Sequence, residues 1–387
     1  MNQIKRITAY PLCVPVPPKR VNCPPFFDQM LHREGGTGQW TSPARFFGDV
    51  PFYAVKVEGQ GGGPAGWSDS SRLIEKDEFL REAGKFIGLS LEQIDPRRSI
   101  LDVRAYDQRA SQSGHQSVHP CKCLEIAALD WRALQENVPM WKLFGRKVQD
   151  SVRVEYWSGF RTPEGARTVA REALELGFLG LKLKANLDID VAGVCEAVFQ
   201  TAGTDFHLNL DPNGRWETVE QSVPRARAML KASPNVLLED PIYGDYEAVA
   251  QVRRQTGIPM GVTVQMPQQI EELVRLEACD AFNIGGTYSQ IIACARAAAN
   301  ARRPVWIGSG CETGLSDLAA VHLGCTLGNC TVGSDLVGNL YRQDDLLVRP
   351  LEFVKGRVQV PEGPGRGIAT DLEAIERYRV ADPIVVE

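Results

Sequence analysis

The chain contains no apolar run that reaches the roughly 18 residues a membrane span needs. Its opening, MNQIKRITAYPL, has neither the apolar core nor the small-residue cleavage site of a secretory signal. Positive charge is not in excess: 43 Lys and Arg stand against 48 Asp and Glu, a formal net charge of −5, which leaves no general field for nucleic acid. Neither a membrane nor a nucleic acid is therefore expected as a partner. Phosphate-loop chemistry is also missing, because Gln60-Gly61-Gly62-Gly63 lacks the Lys-Ser/Thr ending and does not open a helix. Ten cysteines are scattered from Cys13 to Cys330, and the closest two, Cys121 and Cys123, have one residue between them, the wrong spacing for a zinc ribbon. They are expected to be reduced, mostly buried thiols in a cytoplasmic protein. Asn329-Cys330-Thr331 matches a glycosylation sequon, which has no meaning without secretion.

What is present reads as a globular enzyme in two textures. The first third is α+β, with strand-like Ile4–Val14 and Phe52–Glu58 and helical Lys76–Ile87, Leu91–Tyr106 and Leu124–Glu136. Between the first two strands lies a long stretch rich in Pro, Gly and aromatics, including Pro24, Phe26, Phe27, Trp40, Phe46 and Phe47, too aromatic for a plain linker. From about Val152 short apolar runs alternate with amphipathic stretches. Eight candidate strands follow: Val152–Trp157, Gly180–Lys184, Phe206–Asp211, Val236–Glu239, Met260–Val264, Ala281–Ile284, Val305–Gly308 and Thr331–Asp335. Eight strands, seven of them followed by helices, is the count of a closed β/α barrel, favoured over an open doubly wound sheet. The expected fold is α/β: a (β/α) TIM-type barrel over residues 151–340, an α+β N-terminal capping domain over 1–150 carrying a specificity loop, and a tail, 341–387, that packs back on the cap.

In such a barrel the chemistry lies at the C-terminal strand ends. The second strand reads Gly180-Leu-Lys-Leu-Lys184, so Lys182 and Lys184 share a face and the leucines take the other. Two ammonium groups held close lower each other's pKa and make a lysine a base near neutral pH; a pair of solvated lysines on an edge strand is the alternative. On the third strand Asn209, Asp211 and Asn213 share a face, and the fourth ends Glu239-Asp240-Pro241. Carboxylates on adjacent strand ends repel unless a cation lies between them, and hard oxygen donors suit Mg2+. Isolated turn-capping carboxylates are the plainer alternative.

These motifs together resemble the enolase superfamily, and within it the branch of mandelate racemase and muconate lactonizing enzymes. Leu-Lys-Leu-Lys, Asp211-Pro-Asn213 and Glu239-Asp240-Pro241 carry the resemblance. Ala127–Leu134, Pro139–Gly145, the hairpin around Val55–Glu58 and Gly66-Trp67-Ser68, and the closing Pro361–Ile368 extend it over nearly the whole chain. It implies a capped barrel that removes the proton α to the carboxylate of a small acid, with Mg2+ stabilising the enediolate. It also implies a symmetric homo-oligomer. Carried over by position, Asp211 and Glu239 are metal ligands, Lys184 is the base with Lys182 as its electrostatic partner, and Asn213 is a polar contact near the metal.

The departures from the family pattern are as informative. The fifth strand, Gly261-Val-Thr-Val-Gln265-Met-Pro267, contains no acid where the family supplies its third carboxylate, leaving Thr263 or Gln265 as neutral oxygen donors. The sixth, Asp280-Ala-Phe-Asn283-Ile-Gly285-Gly286, has no lysine, which disfavours a two-lysine racemase and leaves Asn283 to face the substrate. After the seventh, Ser309-Gly310-Cys311-Glu312 places Glu312 where an acid contacts substrate, with no histidine beside it. Cys311 is read as a packed thiol. Arg45, with Lys19 and Arg20, stands in the lid stretch and would meet a second anionic group. The expectation is a Mg2+-dependent lyase, dehydrating a hydroxy or sugar acid; an epimerase or cycloisomerase of the same superfamily, or a barrel that binds without metal-dependent turnover, are the alternatives.

Overall fold

The computed structural model describes residues 2–16, 32–34, 39–41, 51–103, 119–310 and 312–387. Arg45, Lys19, Arg20 and Cys311 lie outside the described residues. No helix among the described residues is long and apolar enough to cross a membrane.

The N-terminal part forms a four-stranded sheet in the order Ile384–Val386, Ile4–Leu12, Phe52–Gly59, Gly66–Asp69. All neighbours are antiparallel, and the last strand of the chain pairs with the first through Ile7–Val386 and Ala9–Ile384. The helix Lys122–Gln135 packs on this sheet with Trp131 fully buried. Contact is so close at Gly66 that a Cβ there would come within 2.1 Å of the Ala127 carbonyl oxygen, so no side chain fits. The expected helix Leu91–Tyr106 does not form as read. Leu91–Gln93 forms a single 3-10 turn closed by the Ser90 N–H donating to Gln93 Oε1 at 2.9 Å, and Asp95-Pro96 interrupts it, because proline disfavours helix in the residue before it; Val103 is helical again, and residues 104–106 lie outside the described residues.

The larger part is a parallel sheet of seven strands in strict sequence order, Tyr156–Phe160, Gly180–Lys184, His207–Asp211, Val236–Glu239, Met260–Val264, Ala281–Ile284 and Val305–Ile307. Helices alternate with them, and several begin at a capping side chain: Thr162, Asp190, Thr218 and Asp245 each accept a backbone N–H two or three residues into the helix. The segment 330–335 bridges the last parallel strand, between Val305 and Cys330, and the residues just before the first, between Val154 and Ser334. Two expected strands are corrected. Thr331–Asp335 forms no strand, only an isolated bridge at Ser334, so the parallel sheet has seven strands among the described residues. Val152–Trp157 is split, because Ser151–Arg153 pairs antiparallel with Arg357–Gln359 of the C-terminal hairpin, and the first parallel strand begins only at Tyr156.

Alternation sets up layers inside the parallel sheet. Leu237, Ala281 and Trp306 form a separate apolar cluster, and two residues further along the same strands stand Glu239, Asn283 and Gly308. An apolar floor therefore lies directly beneath a polar mouth. Eight described cysteines are free thiols, seven of them buried, and burial pushes the thiols of Cys121, Cys195, Cys279 and Cys325 up to about 12.

Candidate active site

The second parallel strand lies between the first and third, so its lysines are not on an edge. Leu181 and Leu183 are buried in the core, and alternation turns Lys182 and Lys184 the other way. Register places Lys182 level with Asn209 and Lys184 level with Asp211. Lys184 Nζ lies 2.5 Å from Asp211 Oδ2. Lys182 Nζ lies 2.8 Å from Glu239 Oε1, 3.2 Å from Asp211 Oδ2 and 3.4 Å from Asp335 Oδ2. Two amides flank Glu239: Asn209 Nδ2 donates to its Oε2 at 2.6 Å and Asn283 Nδ2 to its Oε1 at 2.9 Å. Asn213 closes the other side, its backbone N–H donating to Asp211 Oδ1 at 2.9 Å and its Nδ2 to the Tyr243 hydroxyl at 3.1 Å.

Asp211, Glu239 and Asp240, all buried, each offer an oxygen, and these lie within 4.8 Å of one another. Burial opposes ionisation of all three, and their neighbours decide the outcome. Asp211 is nonetheless held down at about 2, because Lys184 and Lys182 face it and hydrogen bonds from Lys184 and Asn213 favour the anion. Glu239 is pushed up by burial and by the charge of Asp211, against the pull of Lys182. Asp240 is pushed up to about 7 by burial and by the charges of Glu239 and Asp211. The expected mutual lowering of the lysines fails for Lys182. Burial does lower it, but Asp335, Glu239 and Asp211 together carry it well above the usual lysine value. Four carboxyl groups, Asp211, Glu239, Asp240 and Asp335, stand against two lysines, so full ionisation leaves an excess negative charge of two that buried groups hold only at a cost. A hard divalent cation matches both the donor chemistry and that charge, so the residues present fit Mg2+.

The remaining predicted residues fall as follows. Gln265 is buried after the fifth strand, where its backbone N–H donates to Gln269 Oε1 at 2.8 Å; the third carboxylate grouped with Asp211 and Glu239 is Asp240, not a fifth-strand residue. Glu312 is fully enclosed in a second cluster. Lys122 Nζ, reaching over from the first turn of the helix Lys122–Gln135, lies 2.6 Å from Glu312 Oε1, and Ser309 Oγ donates to Oε2 at 2.9 Å. Against the penalty of burial, the Lys122 charge and hydrogen bonds hold Glu312 down at about 2, which favours its anion. Asp240 and Lys122 are the two groups that sequence reasoning left without a role.

Residues 165–375 match the family model described as enolase C-terminal domain-like. Among curated relatives, muconate cycloisomerase 1 of Rhodococcus opacus is 28% identical over 274 residues, 66% of this chain and 70% of that protein. N-succinyl-L-Arg/Lys racemase of Bacillus cereus is 23% identical over 359 residues, 88% of this chain and 93% of that one. The crystal structure of N-succinyl Arg/Lys racemase from Bacillus cereus superposes with a TM-score of 0.76 at 19% identity, covering 100% of both chains, and so shares the fold.

Proposed function

The chain belongs to the enolase C-terminal domain-like family, in the mandelate racemase and muconate lactonizing enzyme branch of the enolase superfamily, and from that premise we propose that it removes the proton α to the carboxylate of a small acid through an enediolate. The observation that carries the reading is the convergence of Lys182 and Lys184 with Asp211 and Glu239 at the ends of three consecutive strands. In this reading residues 151–340 form a closed barrel, 1–150 a cap completed by 341–387, and the cap carries the lid stretch containing Arg45. Asp211 and Glu239 hold Mg2+. When bound, the cation supplies the positive charge that makes a second negative charge on the substrate carboxylate tolerable.

Lys184 is the base. It is the lysine nearer the mouth, less buried than Lys182, with its Nζ on Asp211. Lys182, enclosed by three carboxylates, stays an ammonium and balances them. Asn213 and Asn283 orient the substrate from the third and sixth strands. Because the sixth strand carries Asn283 and no lysine, proton transfer is confined to one face. We read the reaction as dehydration of a hydroxy or sugar acid. Lys184 takes the α-proton, the electron pair of the Cα–H bond moves into the carboxylate, and its return expels the β-hydroxyl. The Lys184 ammonium gives that hydroxyl its proton, so water leaves and the amine is regenerated. Glu312, paired with Lys122, then shapes the mouth electrostatically and transfers no proton. Cycloisomerisation is the second reading, supported by the muconate cycloisomerase relative, and it uses the same single face.

The test is exchange of the substrate α-proton in deuterated water with Mg2+, followed by NMR across hydroxy acids, acid sugars and amino-acid derivatives. The reading expects exchange on at least one class and its loss in Lys184→Ala. Exchange that survives in Lys184→Ala overturns it.

A further inference from the structure

The fifth strand has no acid between Gly261 and Met266, yet the site has a third carboxylate. Its origin lies one residue beyond Glu239. Asp240 has φ +45°, a left-handed backbone conformation that costs energy in a residue with a Cβ. Two backbone contacts hold it there: its N–H donates to the Gly261 carbonyl at 3.1 Å and its carbonyl accepts from Gly214 N–H at 2.7 Å. Consecutive residues of an extended strand point to opposite faces; the turn at Asp240 breaks that alternation, so Glu239 and Asp240 present oxygens to the same point as Asp211.

Thr263 fixes the direction of the Asp240 side chain. Its backbone N–H donates to Asp240 Oδ1 at 2.9 Å, and its hydroxyl donates to Oδ2. Each carboxylate oxygen can accept two bonds, so each keeps capacity for a further partner, and one of them lies within 4.8 Å of oxygens of Asp211 and Glu239. Two further buried atoms stand beside the cluster with no hydrogen-bond partner, Asn209 Oδ1 and Asn283 Oδ1, on the amides whose nitrogens both donate to Glu239. Their residues are 1% and 6% exposed, and a hard cation is a natural partner for neutral amide oxygens.

We propose that Asp240 supplies the third anionic oxygen of the cation site and that Thr263 is its positioning residue, so that the fourth strand delivers two carboxylates and the fifth delivers the hydroxyl that aims one of them. This rests on the Mg2+-dependent reading above. The arrangement makes Asp240 a ligand by backbone geometry.

The test uses the full chain and reads metal binding apart from turnover, by calorimetric titration with Mg2+ and by the electron paramagnetic resonance spectrum of bound Mn2+. Wild type binds one ion. Asp240→Asn weakens binding at least about 10-fold and changes the Mn2+ spectrum, as removal of an anionic ligand should. Thr263→Val weakens it by a smaller factor and Thr263→Ser restores it, because only the hydroxyl is needed; a purely space-filling role would leave valine the better substitute. Near-ultraviolet circular dichroism establishes that each variant is folded, and Asp240→Glu serves as the second variant if the asparagine form is not. Wild-type affinity in a folded Asp240→Asn overturns the assignment of Asp240 and leaves the Mg2+-dependent reading standing. No binding by wild type overturns both.

Discussion

Two buried acidic clusters, one at the ends of the third and fourth strands and one at the start of the helix Gly314–Gly324, are built from the same residue types and satisfied in opposite ways. At the helix, Asp69 accepts the backbone N–H groups of Thr313 and Ser316 at 2.7 and 3.0 Å, Asp317 that of Gly338 at 2.7 Å, and Asp345 those of Gly314 and Leu346. Backbone donors are part of the chain and cannot leave, so Asp69 fastens the N-terminal sheet to this helix, Asp317 and Asp345 fasten the helix to the segments that follow it, and Glu312 beside them is held by Lys122 of the N-terminal helix. At the strand ends, Glu239 receives only side chains (an ammonium and two amides), and Asp211 receives two ammonium groups, the Asn213 amide and one backbone N–H. Side-chain partners can exchange for a cation or a substrate. Burial of acid by itself therefore does not mark a site; the identity of the donors does.

The largest expected effect separates the clusters by function. Lys184→Ala should lower α-proton exchange by roughly three orders of magnitude, the middle of the range for a general base, and cost less stability than Lys122→Met, because Lys182 still faces Asp211. Lys122→Met should act chiefly on stability. Removing one partner of a buried pair leaves Glu312 uncompensated and is expected to cost about 3–5 kcal/mol in denaturant unfolding, and adding Glu312→Gln should recover part of that. If Lys122→Met leaves stability untouched, the fastening role of that cluster is wrong.

A smaller effect sharpens the contrast. Asp240 is crowded by Glu239 and Asp211, so Asp240→Asn measured in chelator should be neutral or stabilising by about 1 kcal/mol, whereas Asp69→Asn, which puts a donor against two backbone N–H groups, should destabilise. The last is a pH effect outside both clusters. Burial pushes His119 and His322 down to about 4 from an ordinary 6.5. Between those values the unfolded chain binds protons that the native imidazoles do not, so their contribution to stability is lost as pH falls from 6.5 towards 4 and changes no further below it. Unfolding of wild type against His119→Gln/His322→Gln across that window should show the difference between the two shrinking on acidification; a constant difference contradicts it.

Much of the site was legible because it depends on alternation within single strands. Leu-Lys-Leu-Lys places its lysines inward by period two, and the third and fourth strands bring Asp211 and Glu239 beside them by simple succession. What was not legible depends on geometry that no local pattern encodes. The left-handed turn at Asp240 overrides alternation, and nothing in Glu239-Asp240-Pro241 announces it. Lys122 meets Glu312 across 190 positions of chain, and Ser151–Arg153 is drawn out of the parallel sheet by a hairpin some 200 residues later. The lysine pKa expectation failed for the same reason: it considered the neighbour on the same strand and not the three carboxylates facing Lys182 from other strands.

The most direct test of the central claim is a crystal structure grown in excess Mn2+ with anomalous diffraction recorded at the manganese edge. The account predicts one strong anomalous peak bound by Asp211, Glu239 and Asp240. Asp211 and Glu239 directed apart, with no peak between them, would contradict it.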